Sequence, residues 1–172
     1  MEGLLTVAAL KTLGINKIIV IDKESEKSRA MEFGAWEFIG SHGKNGVAGV
    51  KDKIRAAAGD MADAVFICTD SPMGRNVARR FMKNSGSICE MGFLCGWRRT
   101  PTARYFEDSM PAGGRFYAAR DYENCMNFLA KAAEMKLPLY KLITHRYKLE
   151  EINEAMWTVV REEGLGIAVF NR

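Results

Sequence analysis

Apolar positions along this chain change their spacing several times, and each change marks an element. Leu4, Leu5, Val7, Ala8, Leu10 and Leu13 recur at helical spacing with no proline among them, so a helix is expected over residues 3–13. Gly14 follows, where a glycine closes a helix. Ile18, Ile19, Val20 and Ile21 then form a continuous β-branched run, the mark of a parallel strand covered on both faces. The run ends on Asp22, at the strand end where ligands bind in open α/β sheets.

The same alternation continues. Residues 23–33 predict a helix with Ser25 at its N-cap, Ala30 and Phe33 inward, and Gly34 at its end. A short strand is expected at 35–39, a glycine-rich loop at 40–49 and a helix at 50–58. DAVFICT (63–69) reads as a second buried strand. Ser71 and Pro72 are suited to start a helix running to 83 that buries Val77, Ala78 and Phe81. Asn84-Ser85-Gly86 reads as a turn, 87–91 as a strand, 93–114 as an extended loop and 115–119 as a strand. A helix at 121–135 is expected to turn Tyr122, Met126, Leu129, Ala130 and Ala133 inward. Strand 142–147, helix 149–162 (with Ile152, Ala155, Met156 and Val159 on one face) and strand 166–170 complete the chain. Strands alternating with helices predict an α/β fold, a Rossmann-like doubly wound parallel sheet.

Composition narrows the function. The hydrophobic fraction of 48% and charged fraction of 27% fit a globular domain. A net charge of +4 is too mild for a nucleic-acid binder, and Arg79-Arg80 and Arg98-Arg99 read as solvated element ends. No apolar run reaches the roughly 18 residues of a membrane span. Cys68, Cys89, Cys95 and Cys125 show no CxxC and no zinc-ligand spacing. Cys68 and Cys89 lie in apolar runs and read as buried thiols, so a reducing, cytoplasmic setting is expected. His42 reads as exposed, His145 as a polar strand residue, and Trp97 and Trp157 as packing residues. Glu107 and Asp108 could be general acids, but nothing beside them supports it.

The order GLL…IIVID…EFGA, ADAVFICTDSP, GSICEMGF, GRFYAAR and LITHRYKLEEINEAM…GIAVF resembles the medium-chain dehydrogenase/reductase family, in its zinc-type alcohol, polyol and threonine dehydrogenase branch. The last long segment is the most specific part. The resemblance implies a cofactor-binding site at Gly3, Asp22, Lys27, Thr69, Met91, Gly92, Phe93 and Phe116. Gly3 matches the last glycine of the phosphate loop. Asp22 matches the acid that holds the adenosine ribose and leans the choice toward NAD over NADP; Lys27 matches a basic residue near the same ribose. Thr69 and Asp70 lie toward the adenosine and pyrophosphate. Met91, Gly92 and Phe93 approach the nicotinamide, with Phe116 to Ala118 beside it. Residues 1–136 match a dinucleotide-binding domain, and 137–172 the segment that returns to the catalytic domain.

Two departures from the family pattern shape the expectation. The domain that carries the zinc ligands has no counterpart here, so zinc belongs only to a complete enzyme. The usual first strand of the fold, central in the order 3-2-1-4-5-6, is also absent, which leaves the strands on either side unpaired. The chain therefore reads as the truncated NAD-binding portion of an enzyme that oxidises a secondary alcohol or polyol, inactive alone and forming a homo-oligomer by sheet-edge pairing or strand exchange. The alternatives are a non-catalytic nucleotide-binding or oligomerisation module and a methyltransferase-like fold, which also places an acid at the second strand end.

Overall fold

The computed structural model describes residues 1–41, 46–69, 72–91, 111–112, 119–161 and 166–170. The chain opens with helix α1 (Glu2–Thr12), strand β1 (Ile19–Asp22), helix α2 (Lys27–Glu32) and strand β2 (Glu37–Gly40). Helix α3 (Gly46–Ala58) leads to strand β3 (Ala62–Ile67), helix α4 (Pro72–Ala78) and strand β4 (Met82–Glu90). A short strand β5 (Pro111–Ala112), helix α5 (Ala119–Glu134), strand β6 (Ile143–Lys148), helix α6 (Ile152–Val160) and strand β7 (Gly166–Phe170) follow. Short 3-10 turns precede α2, β6 and α6, and Arg79–Phe81 forms another after α4.

Every described strand pair is parallel, and the strands fall into three groups: β1-β2, β3-β4-β5 and β6-β7. The pattern is that of a doubly wound sheet; among the described residues no strand lies between β1 and β3, the place of the central strand in that fold. Two apolar layers cover the faces of β1 and β2, and the second reaches the residues that flank β3 and β4. On one face, Val7 and Ala8 of α1 pack with Ile18, Ala30, Phe33, Ala35, Phe38 and Leu142, joined by Val20. On the other, Ile19 and Ile21 pack with Ile39, Val50, Ile54, Met61 and Phe81. Consecutive residues of β1 thus serve opposite cores, as the period-2 geometry of a strand requires, and the expectation of cover on both faces is met. Gly14 adopts φ +85°, and its amide bonds to the Lys11 carbonyl at 3.0 Å; glycine takes this left-handed conformation without a Cβ penalty.

Several local expectations are corrected. Ser25 makes no helix-capping bond; it lies in the 3-10 turn Glu24–Glu26. Residues 84–86 belong to β4 rather than to a turn. The ladder shifts register between Ala62↔Met82 and Ala64↔Ser87, and a Cβ on Gly86 would sit 2.9 Å from the Asp63 carbonyl oxygen. A bulged strand thus absorbs residues that resemble a turn. On α5 the inner residues are Phe128, packed against the first core, and Ala132, which is fully buried, while Tyr122, Met126, Leu129, Ala130 and Ala133 face solvent. On α6, Ala155 and Thr158 are buried, whereas Ile152, Met156, Trp157 and Val159 are exposed. Arg79 is not a solvated end: it pairs with Glu90 at 3.2 Å with only 17% of its side chain exposed. Cys68 and Cys89 are half-buried rather than buried. Among the described residues no helix is long and apolar enough to cross a membrane.

Candidate functional site

The chemistry-bearing residues gather at the C-terminal ends of strands. At the end of β1, Asp22 is exposed; its Oδ1 accepts the Lys23 amide at 2.7 Å. An exposed carboxylate at a strand end is suited to accepting hydrogen bonds from a diol. The Asp22 carbonyl accepts the Ser41 amide at 2.8 Å just past β2, which ties the ends of the two strands together. Glu24 lies over Gly40 at the end of β2: a Cβ there would meet Glu24 Oε2 at 2.7 Å. Lys27 is exposed at the start of α2 and reaches Glu24 at 3.8 Å, so its nearest charge partner is Glu24.

The first turn of α1 rests on the ends of β3 and β4. A Cβ on Gly3 would lie 3.7 Å from Cys68 Cβ, an ordinary contact that brings helix and strand close. The Thr6 hydroxyl, one turn on, donates to the Glu2 carbonyl at 2.9 Å and lies 3.6 Å from Cys68 Sγ and 3.8 Å from Met91 Sδ. Gly3, Thr69 (directly after Cys68) and Met91 are therefore brought to one place around a helix N-terminus, where exposed amides favour an anion. Burial pushes the Cys68 thiol up, against the lowering effect of the Thr6 hydroxyl, and burial likewise raises Cys89. Both stay protonated at neutral pH and are poor nucleophiles.

Thr6 and Glu24 had no place in the sequence reading. Thr6 is three residues from Gly3 and so shares its helix face, a signal available before the structure. Glu24 had none, since only the fold of the 3-10 turn carries it over Gly40. Gly92, Phe93, Phe116, Asp70, His42, Cys95, Trp97, Glu107 and Asp108 lie outside the described residues. His145 stands apart from this cluster. Its ring stacks on Tyr147 at 6.3 Å, and its Nδ1 lies 3.0 Å from the Thr144 hydroxyl. A shallow groove lined by Arg146, Tyr147, Lys148, Glu151 and Phe170 also belongs to the β6–β7 end and shares no residue with the strand-end cluster.

A family model described as zinc-binding dehydrogenase matches residues 3–131. The chain belongs to the zinc-binding dehydrogenase family. Sorbitol dehydrogenase 1 of Saccharomyces cerevisiae is 28% identical over 158 residues, covering 89% of this chain and 43% of its own length. An alcohol dehydrogenase from Thermotoga maritima superposes with a TM-score of 0.84 at 20% identity, covering 98% of this chain and 47% of its own. A short chain alcohol dehydrogenase from Escherichia coli, solved with NADH, superposes at 0.68 with 18% identity over 98% of this chain and 49% of its own. The chain thus spans about half the length of the relatives it matches. Complete members of the family use a nicotinamide dinucleotide and zinc. The strand-end cluster fits the dinucleotide, with an exposed acid at one strand end and a helix N-terminus seated on two others. Zinc finds no such fit: among the described residues no group of three or more His, Cys, Asp and Glu could hold a metal ion.

Proposed function

We propose that this chain is the NAD-binding portion of a cytoplasmic zinc-type dehydrogenase whose complete form oxidises a secondary alcohol or polyol by hydride transfer. Residues 1–136 form the cofactor domain, and 137–172 form the segment that joins the catalytic part. The observation that carries this is the exposed Asp22 carboxylate at the end of β1. It accepts the adenosine ribose hydroxyls, and its charge disfavours the 2′-phosphate of NADP. Gly3 and Thr69 stand toward the pyrophosphate, and Met91, Gly92, Phe93 and Phe116 toward the nicotinamide. Lys27 contributes positive charge at the ribose end. The nicotinamide, when bound, supplies the hydride acceptor.

Calorimetry with NAD tests the reading. The expected result is binding that weakens by about 10- to 100-fold in Asp22→Ala, the loss typical of a hydrogen bond to a charged group. No sorbitol oxidation is expected from the 172-residue chain supplied with NAD, and turnover would overturn that part.

The open edges of β1 and β3 favour a second reading, a non-catalytic module that forms a homo-oligomer through a sheet edge or an exchanged strand. A stable dimer by sedimentation together with no NAD binding would select it.

A further inference from the structure

The C-terminal end of β4 is held from three directions. Within the sheet, the Met91 amide bonds to the Ile67 carbonyl at 2.9 Å, just past the final residue pair of the ladder, Ile67↔Glu90. On one face, the Thr6 hydroxyl of α1 lies 3.8 Å from Met91 Sδ. On the other, Arg79 Nη2 donates to Glu90 Oε1 at 3.2 Å. Successive residues of a strand point to opposite faces, so Glu90 and Met91 are gripped from opposite sides.

The Arg79–Glu90 pair differs from the other described ion pairs in its cover. Its side chains are 17% and 27% exposed, whereas each of the others has a partner at least 46% exposed. Covering two charges costs their hydration, and an apolar pair of similar size in such a place is often as stable. What a charge-assisted hydrogen bond adds is a fixed geometry. The two ends of the pair suit that role. Arg79 opens the 3-10 turn Arg79–Phe81, and Phe81 is buried in the second core, so the guanidinium extends from an anchored base. Glu90 closes a strand whose ladder shifts register at its start. A bulge of this kind re-aims a strand, and the pair fixes where that strand ends.

We propose that Arg79 is a positioning residue: through Glu90 it fixes the end of β4 and sets Met91 where the nicotinamide half of the cofactor is received. The proposal rests on the NAD-binding reading, in which Met91 stands toward the nicotinamide. Arg79 acts through Glu90 and not by contact with the cofactor.

The test uses Arg79→Met/Glu90→Leu in the 172-residue chain, which removes both charges and leaves neither unpaired. Its urea midpoint should stay close to that of the native chain. Calorimetry compares NAD with ADP-ribose, which lacks the nicotinamide. The native chain should prefer NAD. In the double variant ADP-ribose should bind as before, while the preference for NAD falls about fivefold, the loss of one ordinary hydrogen bond. A merely structural pair would move both ligands alike or neither. The Met91 amide, followed by NMR hydrogen exchange, should exchange at least about tenfold faster, with β1 unchanged. Equal weakening of both ligands, an unchanged preference or an unchanged Met91 amide overturns the positioning role. So does a double variant that unfolds, since the pair then serves stability, and so does a native chain that binds both ligands without preferring NAD. A native chain that binds neither ligand faults the NAD-binding reading, and this proposal with it.

Discussion

Helices α1 and α6 are both rich in apolar residues and meet opposite fates. α1 is enclosed: Val7, Ala8 and Thr12 are buried, and its neighbours include α2, α5 and β3. α6 buries only Ala155 and Thr158 against its own two strands, while Met156, Trp157 and Val159 are each more than half exposed. Periodicity establishes that a helix face is apolar; the elements folded around it decide whether that face is covered. Around α1 the chain supplies two helices and a sheet. Around α6 it supplies a two-stranded sheet, close to the smallest unit that holds together in water.

The largest expected effect lies on the covered side of this comparison. Phe33 is 1% exposed at the end of α2, and Phe33→Ala should cost about 3–5 kcal/mol, read as a shift of the urea midpoint. Trp157→Ala, on the open side at 55% exposure, should change stability by no more than about 0.5 kcal/mol. A comparable loss in both variants would break the comparison. Gly166→Ala should come next. A Cβ there would sit 2.6 Å from the Leu142 carbonyl oxygen, and relieving that clash costs about 1–3 kcal/mol, visible as faster amide exchange confined to β6 and β7. Thr158 is smaller again. Its hydroxyl donates to the Glu154 carbonyl at 3.1 Å and accepts from the Tyr147 hydroxyl at 2.7 Å. Thr158→Val should cost about 1 kcal/mol, sharpening how much of the α6 attachment is polar.

The smallest effect is one of pH. The Lys83 ammonium, 2.7 Å from Asp63 Oδ1, holds that carboxyl below the usual carboxylate range. A group with a lowered folded-state value adds stability above its unfolded value and loses it as pH falls through the folded one. The advantage of the native chain over Asp63→Asn in urea should therefore be present at neutral pH and shrink in acid. The pair is exposed, so the difference is slight.

Much of the fold was legible in particular residues. The four β-branched residues 18–21 marked β1, GIAVF marked β7, and Pro72 marked the start of α4, because each signal is local. The inner face of α5 was not legible. Tyr122, Met126 and Leu129 make the more conspicuous stripe, but Phe128 packs against the core of α1 and Leu142 and Ala132 is buried, a choice that depends on space between elements. The first half of β4 was hidden for a related reason, although 87–91 was expected as a strand: Asn84-Ser85-Gly86 suits a turn until the Asp63 carbonyl is seen pressing on Gly86. At the candidate site, Asp22 could be placed from its position at a strand end. Glu24 could not, since its approach to Gly40 depends on a turn whose capping residue sequence reasoning misassigned.

The ladder registers carry a consequence for how the chain folds. Ile19 pairs with Glu37, Ala64 with Ser87 and His145 with Ile167, so in these three pairs a strand meets its partner across a single intervening helix. Every such pairing closes a loop of roughly twenty residues, which keeps the entropy of closure low and favours rapid formation. Each unit can therefore assemble as it leaves the ribosome. The contacts that must wait are the distant ones: α1 against α5 and against the ends of β3 and β4, and the Lys141–Glu32 ion pair, which spans 109 positions. The topology thus separates three locally closed pairs from the long-range contacts that join them.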